Sequence, residues 1–420
     1  MSMFLVEGGR RLEGTVRTHG AKNSVLPILA ATILGRGESV IRNCPALSDV
    51  TASLAILEHL GCKTAREGDA VRVDASSLKR CDVPDGLMRE MRSSVIFLGA
   101  ILGRMGEAVL SAPGGCELGP RPIDLHLASI RALGGTVDEA GGALRCTGPH
   151  MAGTDIVLSI PSVGATENTM LAAVAAQGVT TITNAAREPE IADLQAFLRA
   201  MGADVRGAGS SMITIRGGLP LHGAEHTVMG DRIVAATYLA AAAAAGGGIE
   251  VTGAGRPHLS TVTSGLSQAG CKVRSDDSRI SLSCSGPLRG VSPVRTAPYP
   301  GFPTDAQAPL MAALATAAGT SVFVENIFDS RSRLVDELAR LGARIRVEGR
   351  VAVVFGVERL KAAAVRAADL RGGAALVVAA LGAEGRSAIS GLHHVDRGYQ
   401  DLDGALRSLG ADIIRREADA

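Results

Sequence analysis

Hydrophobic patterning divides the chain into two kinds of helix that alternate along the sequence. One kind is amphipathic, as in "RLVDELARLGA" at residues 333–343, and predicts a helix with one face in water. The other is apolar on every side, as in "VAATYLAAAAAAGG" at residues 234–247, and predicts a helix that is buried all round. Alternating stretches such as "ADVRGAGSSMITIRG" at residues 203–217 predict a strand, a turn and a second strand.

These elements recur along the whole chain as a strand–helix–strand–helix–strand–strand unit. The amphipathic helix ends on a glycine in six places that are 68 to 73 residues apart, at Gly61, Gly134, Gly202, Gly270, Gly342 and Gly410. A chain of 420 residues exceeds the size at which a single hydrophobic core keeps growing. Three buried helices can shelter one another inside a ring of strands, so six units predict an α/β protein with two three-unit domains.

Charge balance argues against a nucleic-acid partner. A repeat protein that encircles DNA needs a basic inner surface, yet 43 Lys and Arg residues face 42 Asp and Glu residues, for a net charge of +1. Solenoid repeats are shorter than these units, at about 20–50 residues. A non-catalytic six-unit scaffold stays open as an alternative.

Export and membrane signals are missing from the sequence pattern. The N-terminal segment lacks the apolar core of a secretory signal, and the longest apolar run, residues 233–245, is shorter than the roughly 20 residues that span a bilayer. We therefore expect a cytoplasmic protein without membrane insertion. Its oligomeric state stays open.

Cysteine and histidine spacing predicts neither a disulfide framework nor a metal site. The seven cysteines are odd in number and contain no C-x-x-C pair. His222 and His226 are four residues apart, but their segment "PLHGAEH" is marked by proline and glycine rather than by a helical pattern. We expect no metal and no cofactor.

Polar residues interrupt the apolar pattern just before the buried helices. A helix N-terminus offers unpaired N–H groups and about half a positive charge, so it favours anions. Lys22, Arg92, Arg232 and Arg371 recur at this phase of the repeat and add full positive charges. We expect the two domains to face each other across an electropositive cleft, where small-molecule sites tend to lie.

A second polar set follows the next strand of each unit and includes one cysteine on a bendable stretch. The segment "SAPGGCELGPRPIDLHL" at residues 111–127 places Cys116 after Gly114 and Gly115 and close to Arg121. A nearby arginine lowers the pKa of a thiol, and exposure on a loop makes the thiol available to react. The glycines let such a loop open and close as a lid.

Six segments together resemble the family of UDP-N-acetylglucosamine 1-carboxyvinyltransferases. They are "GAKNSVLPILA", "PGGCELGPRPIDLH", "PSVGATEN", "NAAREPEI", "RTAPYPGFPTDAQA" and "HHVDRGY", and they run from the first repeat to the last. The resemblance implies an EPSP synthase-like fold of two inverted α/β barrels with three βαβαββ-type units each. It also implies an N-terminal domain of residues 22–229, a discontinuous C-terminal domain of residues 1–21 plus 230–420, and an active site in the cleft between them.

The activity implied by the resemblance is transfer of enolpyruvate from phosphoenolpyruvate to the 3′-hydroxyl of UDP-N-acetylglucosamine, with release of phosphate. This addition–elimination reaction is the first committed step of peptidoglycan synthesis. Cys116 matches the family's proton donor, which the antibiotic fosfomycin alkylates. Lys22, Arg121 and Arg397 match residues that hold phosphoenolpyruvate, and Asp305 is the candidate base for the 3′-hydroxyl.

Further roles also follow from the resemblance. The remaining substrate-binding positions that it implies are Asn23, Arg92, Pro122, Ile123, Asp124, Leu125, His126, Ser162, Val163, Gly164, Ile327 and Arg371. Ion pairs that support the substrate-binding residues are expected from Glu188, Arg331 and Arg371. The cysteines expected to be buried and inert are Cys44, Cys62, Cys81, Cys146, Cys271 and Cys284.

Several alternatives remain open on the sequence. A 3-phosphoshikimate 1-carboxyvinyltransferase would share the fold and the transferred group, although the cysteine-bearing loop and the "GAKN" segment favour the UDP-sugar enzyme. A cysteine hydrolase would use Cys116 with His126. Asp305 could also serve as the N-cap of the following helix, and His126 could be a structural helix residue.

Overall fold

The chain folds into two units, each with its own hydrophobic core. The computed structural model describes residues 2–91, 93–111, 123–139, 142–328 and 334–417. Within these ranges, residues 20–229 form one unit, here called the N-terminal unit. Residues 2–19 and 230–417 form the other, here called the C-terminal unit.

The strands of the described residues are short, as expected for small sheets that pack on helices. In chain order they are β1 (Ser2–Glu7), β2 (Leu12–Arg17), β3 (Glu38–Arg42), β4 (Lys63–Glu67), β5 (Ala70–Asp74), β6 (Asp82–Val83), β7 (Glu107–Ser111), β8 (Thr136–Asp138), β9 (Ala143–Thr147), β10 (Asp155–Val157), β11 (Gly178–Thr183), β12 (Asp204–Arg206), β13 (Met212–Gly217), β14 (Glu225–Thr227), β15 (Gly247–Thr252), β16 (Lys272–Ser275), β17 (Arg279–Cys284), β18 (Val294–Arg295), β19 (Thr320–Val324), β20 (Arg344–Glu348), β21 (Val351–Phe355), β22 (Leu360–Lys361), β23 (Ala364–Arg366), β24 (Ala383–Glu384), β25 (Arg386–Ser390) and β26 (Asp412–Glu417).

The α-helices alternate with these strands. They are α1 (Lys22–Ala31), α2 (Ser48–Leu60), α3 (Asp85–Glu90), α4 (Phe97–Met105), α5 (Asp124–Ala132), α6 (Val163–Ala173), α7 (Pro189–Ala200), α8 (Arg232–Ala245), α9 (Arg256–Gln268), α10 (Thr304–Ala313), α11 (Leu334–Arg340), α12 (Leu370–Leu381) and α13 (Leu402–Ser408). A short 3₁₀ turn, Ser94–Ile96, precedes α4.

One sheet pattern recurs through the described residues, with three four-stranded sheets in each unit. In the sheet β10-β11-β13-β12, the first two strands are parallel and the other neighbours are antiparallel. Ile182 lies opposite Ile213 in this register, and both side chains are fully buried. The remaining four-stranded sheets are β14-β3-β5-β4, β6-β7-β9-β8, β2-β15-β17-β16, β18-β19-β21-β20 and β23-β25-β1-β26, and β22 pairs with β24 in a two-stranded sheet.

At the two places where the chain passes from one unit to the other, the strand before the crossing pairs with a strand that is distant in sequence. β2 precedes α1 in sequence, yet it pairs with β15 of the C-terminal unit. β14 precedes α8, yet it pairs with β3 of the N-terminal unit. β1 closes the pattern, because it pairs with β25 and β26 at the far end of the chain.

The six apolar helices are buried and the Gly-ending helices are amphipathic, as the sequence pattern predicted. In the C-terminal unit α8, α10 and α12 pack against one another, and in the N-terminal unit α4 packs against α1 and α6. Every residue of α10 from Ala306 to Ala313 is buried. By contrast, α7 and α9 each bury one face only.

Each of the six predicted Gly-ending helices ends on a glycine in the left-handed region. The φ values of Gly61, Gly134, Gly202, Gly270, Gly342 and Gly410 are 105°, 90°, 100°, 100°, 92° and 96°. Side chains with a Cβ atom are strained at such angles, so glycine at these positions ends the helix and turns the chain into the next strand.

The α/β fold class and the six-unit organisation are therefore confirmed. The strands of each unit remain in separate small sheets around the buried helices, and no closed barrel of strands occurs among the residues that the structure describes. Within those residues, no helix combines the length and the apolar character needed to cross a membrane.

The expectation for the cysteines needs two corrections. Cys271 and Cys284 form a disulfide, because the register that places Lys272 opposite Ser283 brings the two Cα atoms to 4.7 Å. Cys81 is only partly buried. The other inert thiols behave as expected, since burial raises the pKa of Cys44 to about 11, of Cys62 to about 12 and of Cys146 to about 11.

Candidate functional site

Lys22 is the first residue of α1, and an ion pair holds its side chain inside the N-terminal unit. Its Nζ atom lies 2.6 Å from Oδ2 of Asp49, in the first turn of α2. The Lys22 and Asp49 side chains are only 10% and 1% exposed. Such a buried pair keeps a long, flexible lysine in one position. Asn23, the next predicted binding residue, is exposed.

His126 lies in the first turns of α5 and faces the start of α6. Its Nδ1 atom accepts a hydrogen bond of 2.8 Å from Nδ2 of Asn168, whose Oδ1 accepts one of 2.7 Å from the Gly99 N–H. A Cβ atom built on Gly164 would lie 3.1 Å from Cε1 and 3.3 Å from Nε2 of His126. The hydrogen-bond network thus assigns the proton to Nε2 and places that edge of the ring beside Gly164.

Burial keeps the His126 imidazole neutral. It lowers the pKa of His126 to about 4, and the negative charge of Asp124 only partly opposes this effect. A neutral imidazole can donate one hydrogen bond from Nε2 without bringing a positive charge. Its neighbours Ile123 and Leu125 are half-buried, and Asp124 is exposed.

Ser162 caps α6 and marks an accessible helix start. Its Oγ atom accepts a hydrogen bond of 3.3 Å from the Ala165 N–H. Ser162, Val163 and Gly164 are all half-buried, so this predicted binding segment can be reached from the surface of its unit. The structure therefore brings residues 126 and 164 together, as their shared predicted role requires.

The carboxyl group of Glu167 on α6 lies near those of Glu188 and Glu190 at the start of α7. The pKa of Glu167 is raised well above its usual range, first by burial and then by the negative charges of Glu190 and Glu188. Burial and the two neighbouring carboxylates therefore favour the protonated form of Glu167. Glu188, the predicted ion-pair residue, belongs to this group of carboxyls.

Asp305 and Arg371 form an ion pair in the C-terminal unit. Nη2 of Arg371, in the first turn of α12, lies 3.3 Å from Oδ2 of Asp305, in the first turn of α10. The Arg371 guanidinium lies 5.5 Å from the ring centroid of Tyr399, and the Tyr399 hydroxyl is 2.8 Å from Oγ1 of Thr237 on α8. The pair therefore joins the starts of two buried helices, and Tyr399 links it to the third.

Arg371 stays charged although its side chain is only 5% exposed. Burial lowers its pKa, but the negative charges of Asp305 and Asp231 and the interaction with the Tyr399 hydroxyl outweigh that effect and raise the pKa overall. Among the described residues, its buried Nη1 atom has no hydrogen-bond partner. This nitrogen is therefore available to an oxygen atom of a ligand.

Ile327 and Arg397 lie on loops of the same unit as Asp305. Ile327 is 40% exposed and follows β19. Arg397 is half-buried and lies two residues before Tyr399. The proposed N-cap role of Asp305 is wrong: the N-cap of α10 is Pro303, so Asp305 is the second residue of the helix, and its carboxylate pairs with Arg371.

Five predicted residues lie outside the described ranges. They are Cys116, Arg92, Arg121, Pro122 and Arg331. Their assigned roles stay predictions.

Sequence reasoning did not predict four contacts that hold the candidate site in place. Asp49 holds Lys22, Asn168 holds His126, Tyr399 supports Arg371, and Glu325 holds the segment that carries Ile327. Asn168 and Tyr399 occur inside the quoted motifs, so a buried polar residue within a motif was the available signal. Asp49 lies outside these motifs, and its signal is weaker: it is the one acidic residue in the first turn of α2.

The two histidines with metal-like spacing have other partners. Nε2 of His226 lies 2.8 Å from Oδ1 of Asp193, and Nδ1 of His222 lies 2.9 Å from the Gly223 carbonyl oxygen. Among the residues that the structure describes, no group of three or more metal-ligating side chains occurs.

Comparison with known proteins places the whole chain among enolpyruvyl transferases. Residues 6–406 match the profile of the family described as EPSP synthase (3-phosphoshikimate 1-carboxyvinyltransferase). The chain is 51% identical over 415 residues to UDP-N-acetylglucosamine 1-carboxyvinyltransferase 2 of Caldanaerobacter subterraneus subsp. tengcongensis, covering 99% of this chain and 100% of that one. It is 49% identical over 419 residues to UDP-N-acetylglucosamine 1-carboxyvinyltransferase 1 of Symbiobacterium thermophilum, covering 98% and 95%.

A solved structure supports the same fold. The enolpyruvyl transferase NikO from Streptomyces tendae superposes with a TM-score of 0.89 at 29% sequence identity, covering 100% of this chain and 99% of that one. The predicted EPSP synthase-like fold is thereby confirmed.

Proposed function

The chain belongs to the EPSP synthase family, and on that premise we propose that it transfers enolpyruvate from phosphoenolpyruvate to the 3′-hydroxyl of UDP-N-acetylglucosamine. It is an enzyme, a UDP-N-acetylglucosamine 1-carboxyvinyltransferase that serves peptidoglycan synthesis in the cytoplasm. The observation that carries the choice of acceptor is the 51% identity, over nearly the whole of both chains, to a relative of that name.

The reaction is an addition followed by an elimination. C3 of phosphoenolpyruvate takes a proton while the sugar 3′-oxygen forms a bond to C2 and loses its own proton to a base. C3 then loses a proton, the C2–O bond to the phosphate breaks, and phosphate leaves with that electron pair. Catalysis needs fixed cations for the anionic donor, an acid at C3 and a base at the hydroxyl.

Asp305 is the base in this proposal, and Arg371 orients it. A carboxylate held 3.3 Å from a guanidinium is kept in one orientation. The buried Nη1 atom of Arg371 is a further donor for substrate oxygen. Both groups lie at helix starts, whose unpaired N–H groups favour anions.

Lys22, Arg121 and Arg397 hold phosphoenolpyruvate, and Cys116 supplies the proton to C3. The Asp49 pair supports the role of Lys22, because a lysine in a fixed position needs no further ordering when the donor binds. Lys22 belongs to the N-terminal unit and Arg397 to the C-terminal unit.

His126, Gly164 and Ile327 help to bind the nucleotide sugar. A neutral imidazole with its proton on Nε2 suits hydrogen bonding to an uncharged or anionic oxygen. The same property argues against the cysteine hydrolase, since a histidine with a pKa of about 4 is a weak general base at neutral pH.

Turnover of the two acceptors tests the proposal. Purified protein with phosphoenolpyruvate is expected to release phosphate with UDP-N-acetylglucosamine and not with shikimate 3-phosphate. Activity on shikimate 3-phosphate alone would replace this function with that of a 3-phosphoshikimate 1-carboxyvinyltransferase. If no phosphate is released with either acceptor, the proposed function is wrong and the non-catalytic scaffold replaces it.

Arg397→Ala tests the site itself. We expect turnover to fall by orders of magnitude while the melting temperature changes little, because a half-buried loop arginine contributes little to the core. An unfolded variant would assign Arg397 a structural role instead.

A further inference from the structure

We propose that Glu325 is a positioning residue for the nucleotide-sugar substrate. It has no assigned contact with either substrate and acts through the backbone of residues 327–328 and through Thr304. This inference rests on the proposed function, because it assigns Ile327 to the sugar-binding surface.

Glu325 is a buried carboxylate with four hydrogen-bond donors. It follows β19 directly and is 7% exposed. Its Oε1 atom accepts hydrogen bonds from the Ile327 N–H at 2.7 Å, the Phe328 N–H at 3.1 Å and Oγ1 of Thr296 at 2.8 Å. Its Oε2 atom accepts one from Oγ1 of Thr304 at 2.8 Å.

Thr296 ties the same segment down from the other side. Its Oγ1 atom accepts a hydrogen bond of 2.8 Å from the Asn326 N–H, and its carbonyl oxygen accepts one of 3.0 Å from Nδ2 of Asn326. The consecutive N–H groups of residues 326–328 therefore all have buried acceptors. The exposed Ile327 side chain extends from a backbone that is fixed at three successive positions.

The fourth bond connects this segment to the helix that carries Asp305. Thr304 is the first residue of α10 and directly precedes Asp305. A single carboxylate thus sets the spacing between the loop of Ile327 and the start of α10. Substrate contacts on a loop need such a rigid support, because displacement of a reacting group by about 1 Å can cost about a hundredfold in rate.

The two obvious substitutions separate positioning from charge. Glu325→Gln can keep its carbonyl oxygen at the place of Oε1, where two backbone N–H groups need an acceptor. Its amide group can then donate to Oγ1 of Thr304, which also accepts hydrogen bonds. Glu325→Ala removes all four acceptor contacts.

Steady-state kinetics with phosphoenolpyruvate and UDP-N-acetylglucosamine is the test. We expect Glu325→Ala to raise the KM for UDP-N-acetylglucosamine about tenfold or more, with the KM for phosphoenolpyruvate changed by less than about threefold. Glu325→Gln is expected to stay within about threefold for both substrates. An unchanged KM for the sugar in folded Glu325→Ala, or an equal defect in both variants, would overturn the proposal.

Ser321→Ala is the matched control. Ser321 lies on the same strand, is 1% exposed, and its Oγ accepts a hydrogen bond of 3.2 Å from the Val291 N–H. Ser321→Ala removes a buried hydrogen-bond acceptor, as Glu325→Ala does, but this acceptor lies on β19 and does not contact residues 327–328. A lower melting temperature with both KM values unchanged is expected. A selective rise of the sugar KM in this control would also overturn the proposal.

Two further measurements keep the test decisive. If Glu325→Ala is not recovered folded, Thr296→Val replaces it, and a sugar KM that does not rise there counts against the proposal. Wild-type protein is assayed first with both acceptors. Failure to use UDP-N-acetylglucosamine refutes the proposed function, whereas normal wild-type turnover with unaffected variants refutes the role of Glu325 alone.

Discussion

The ammonium group of Lys22 lies 2.6 Å from the carboxylate of Asp49, and both side chains are buried. Asp49→Asn keeps the shape of the side chain and removes its charge. We expect the free energy of unfolding to fall by about 1–3 kcal/mol, because a buried cation loses a compensating charge. We also expect kcat/KM for phosphoenolpyruvate to fall about tenfold or more. Denaturant unfolding and steady-state kinetics check the two effects.

Asp85→Asn is the control for Asp49→Asn. Asp85 pairs with Arg89 at 2.7 Å, but these side chains are 53% and 73% exposed. Surface pairs contribute about 0–1 kcal/mol, so neither stability nor activity should change appreciably. Normal kinetics in folded Asp49→Asn would show that Lys22 does not depend on this pair.

The low pKa of His126 predicts a pH-dependent stability. Its folded pKa of about 4 lies below the roughly 6.5 of an unfolded chain, so the unfolded state binds more protons between these values. Stability therefore falls as the pH drops from about 6.5 toward 4, with about 1 kcal/mol lost by pH 5.5. Unfolding of wild type and His126→Asn at pH 7.5 and 5.5 should show a smaller loss in the variant.

His150→Asn provides the comparison for that experiment, since His150 is an exposed histidine of the same unit. It should retain the pH dependence of the wild type. Equal losses in wild type and His126→Asn would contradict the burial argument.

Arg371→Lys is expected to lower kcat about tenfold or more. Lysine keeps the charge but loses the planar group that contacts Asp305 and lies over the Tyr399 ring. Because Arg371 orients the proposed base, the pH profile of kcat should change as well. Tyr399→Phe keeps the ring under the guanidinium and should reduce kcat by less than about threefold. A larger loss in Tyr399→Phe than in Arg371→Lys would transfer the main role to the tyrosine hydroxyl.

Thiol labelling should be selective for Cys116. At pH 7.5, thiols with pKa values of about 11 or 12 are less than about one part in a thousand thiolate, which holds for Cys44, Cys62 and Cys146. We expect fosfomycin to be opened by the Cys116 sulfur, adding its mass to one peptide. Cys116→Ser should abolish the adduct, and Cys146→Ser should retain it. Modification of another cysteine, or of none, would argue against the predicted role of this loop.

Local patterns along the chain predicted most of the fold. Buried helices are apolar on every side, whereas amphipathic helices have one polar face, so the sequence distinguishes them. Each amphipathic helix ends on a glycine, as at Gly202, because a positive φ is needed there. The candidate site was predicted through motifs that include His126 and Asp305, and Arg371 was predicted from its place just before a buried helix. The structure pairs the last two directly.

Relationships between distant segments could not be predicted. The partner of Lys22 lies 27 residues away on another helix, and only packing reveals it. The disulfide of Cys271 and Cys284 depends on the register of β16 and β17, and the number and spacing of the cysteines do not reveal that register. The strand partners of β2 and β14 were likewise not predicted, although the family resemblance placed residues 1–21 with the C-terminal domain and residues 22–229 in the N-terminal domain.

The pairing of β1 and β2 with strands far along the chain affects the order in which the sheets can form during synthesis on the ribosome. Residues 2–17 are translated long before their pairing partners: β2 pairs with β15 at residues 247–252, and β1 pairs with β25 and β26 at residues 386–390 and 412–417. At about 5–20 residues per second, the leading segment waits tens of seconds while the unit behind it can already complete its sheets. The pairing of β1 is therefore complete only after β26 has been translated, and a nascent chain halted before β26 keeps an open sheet edge.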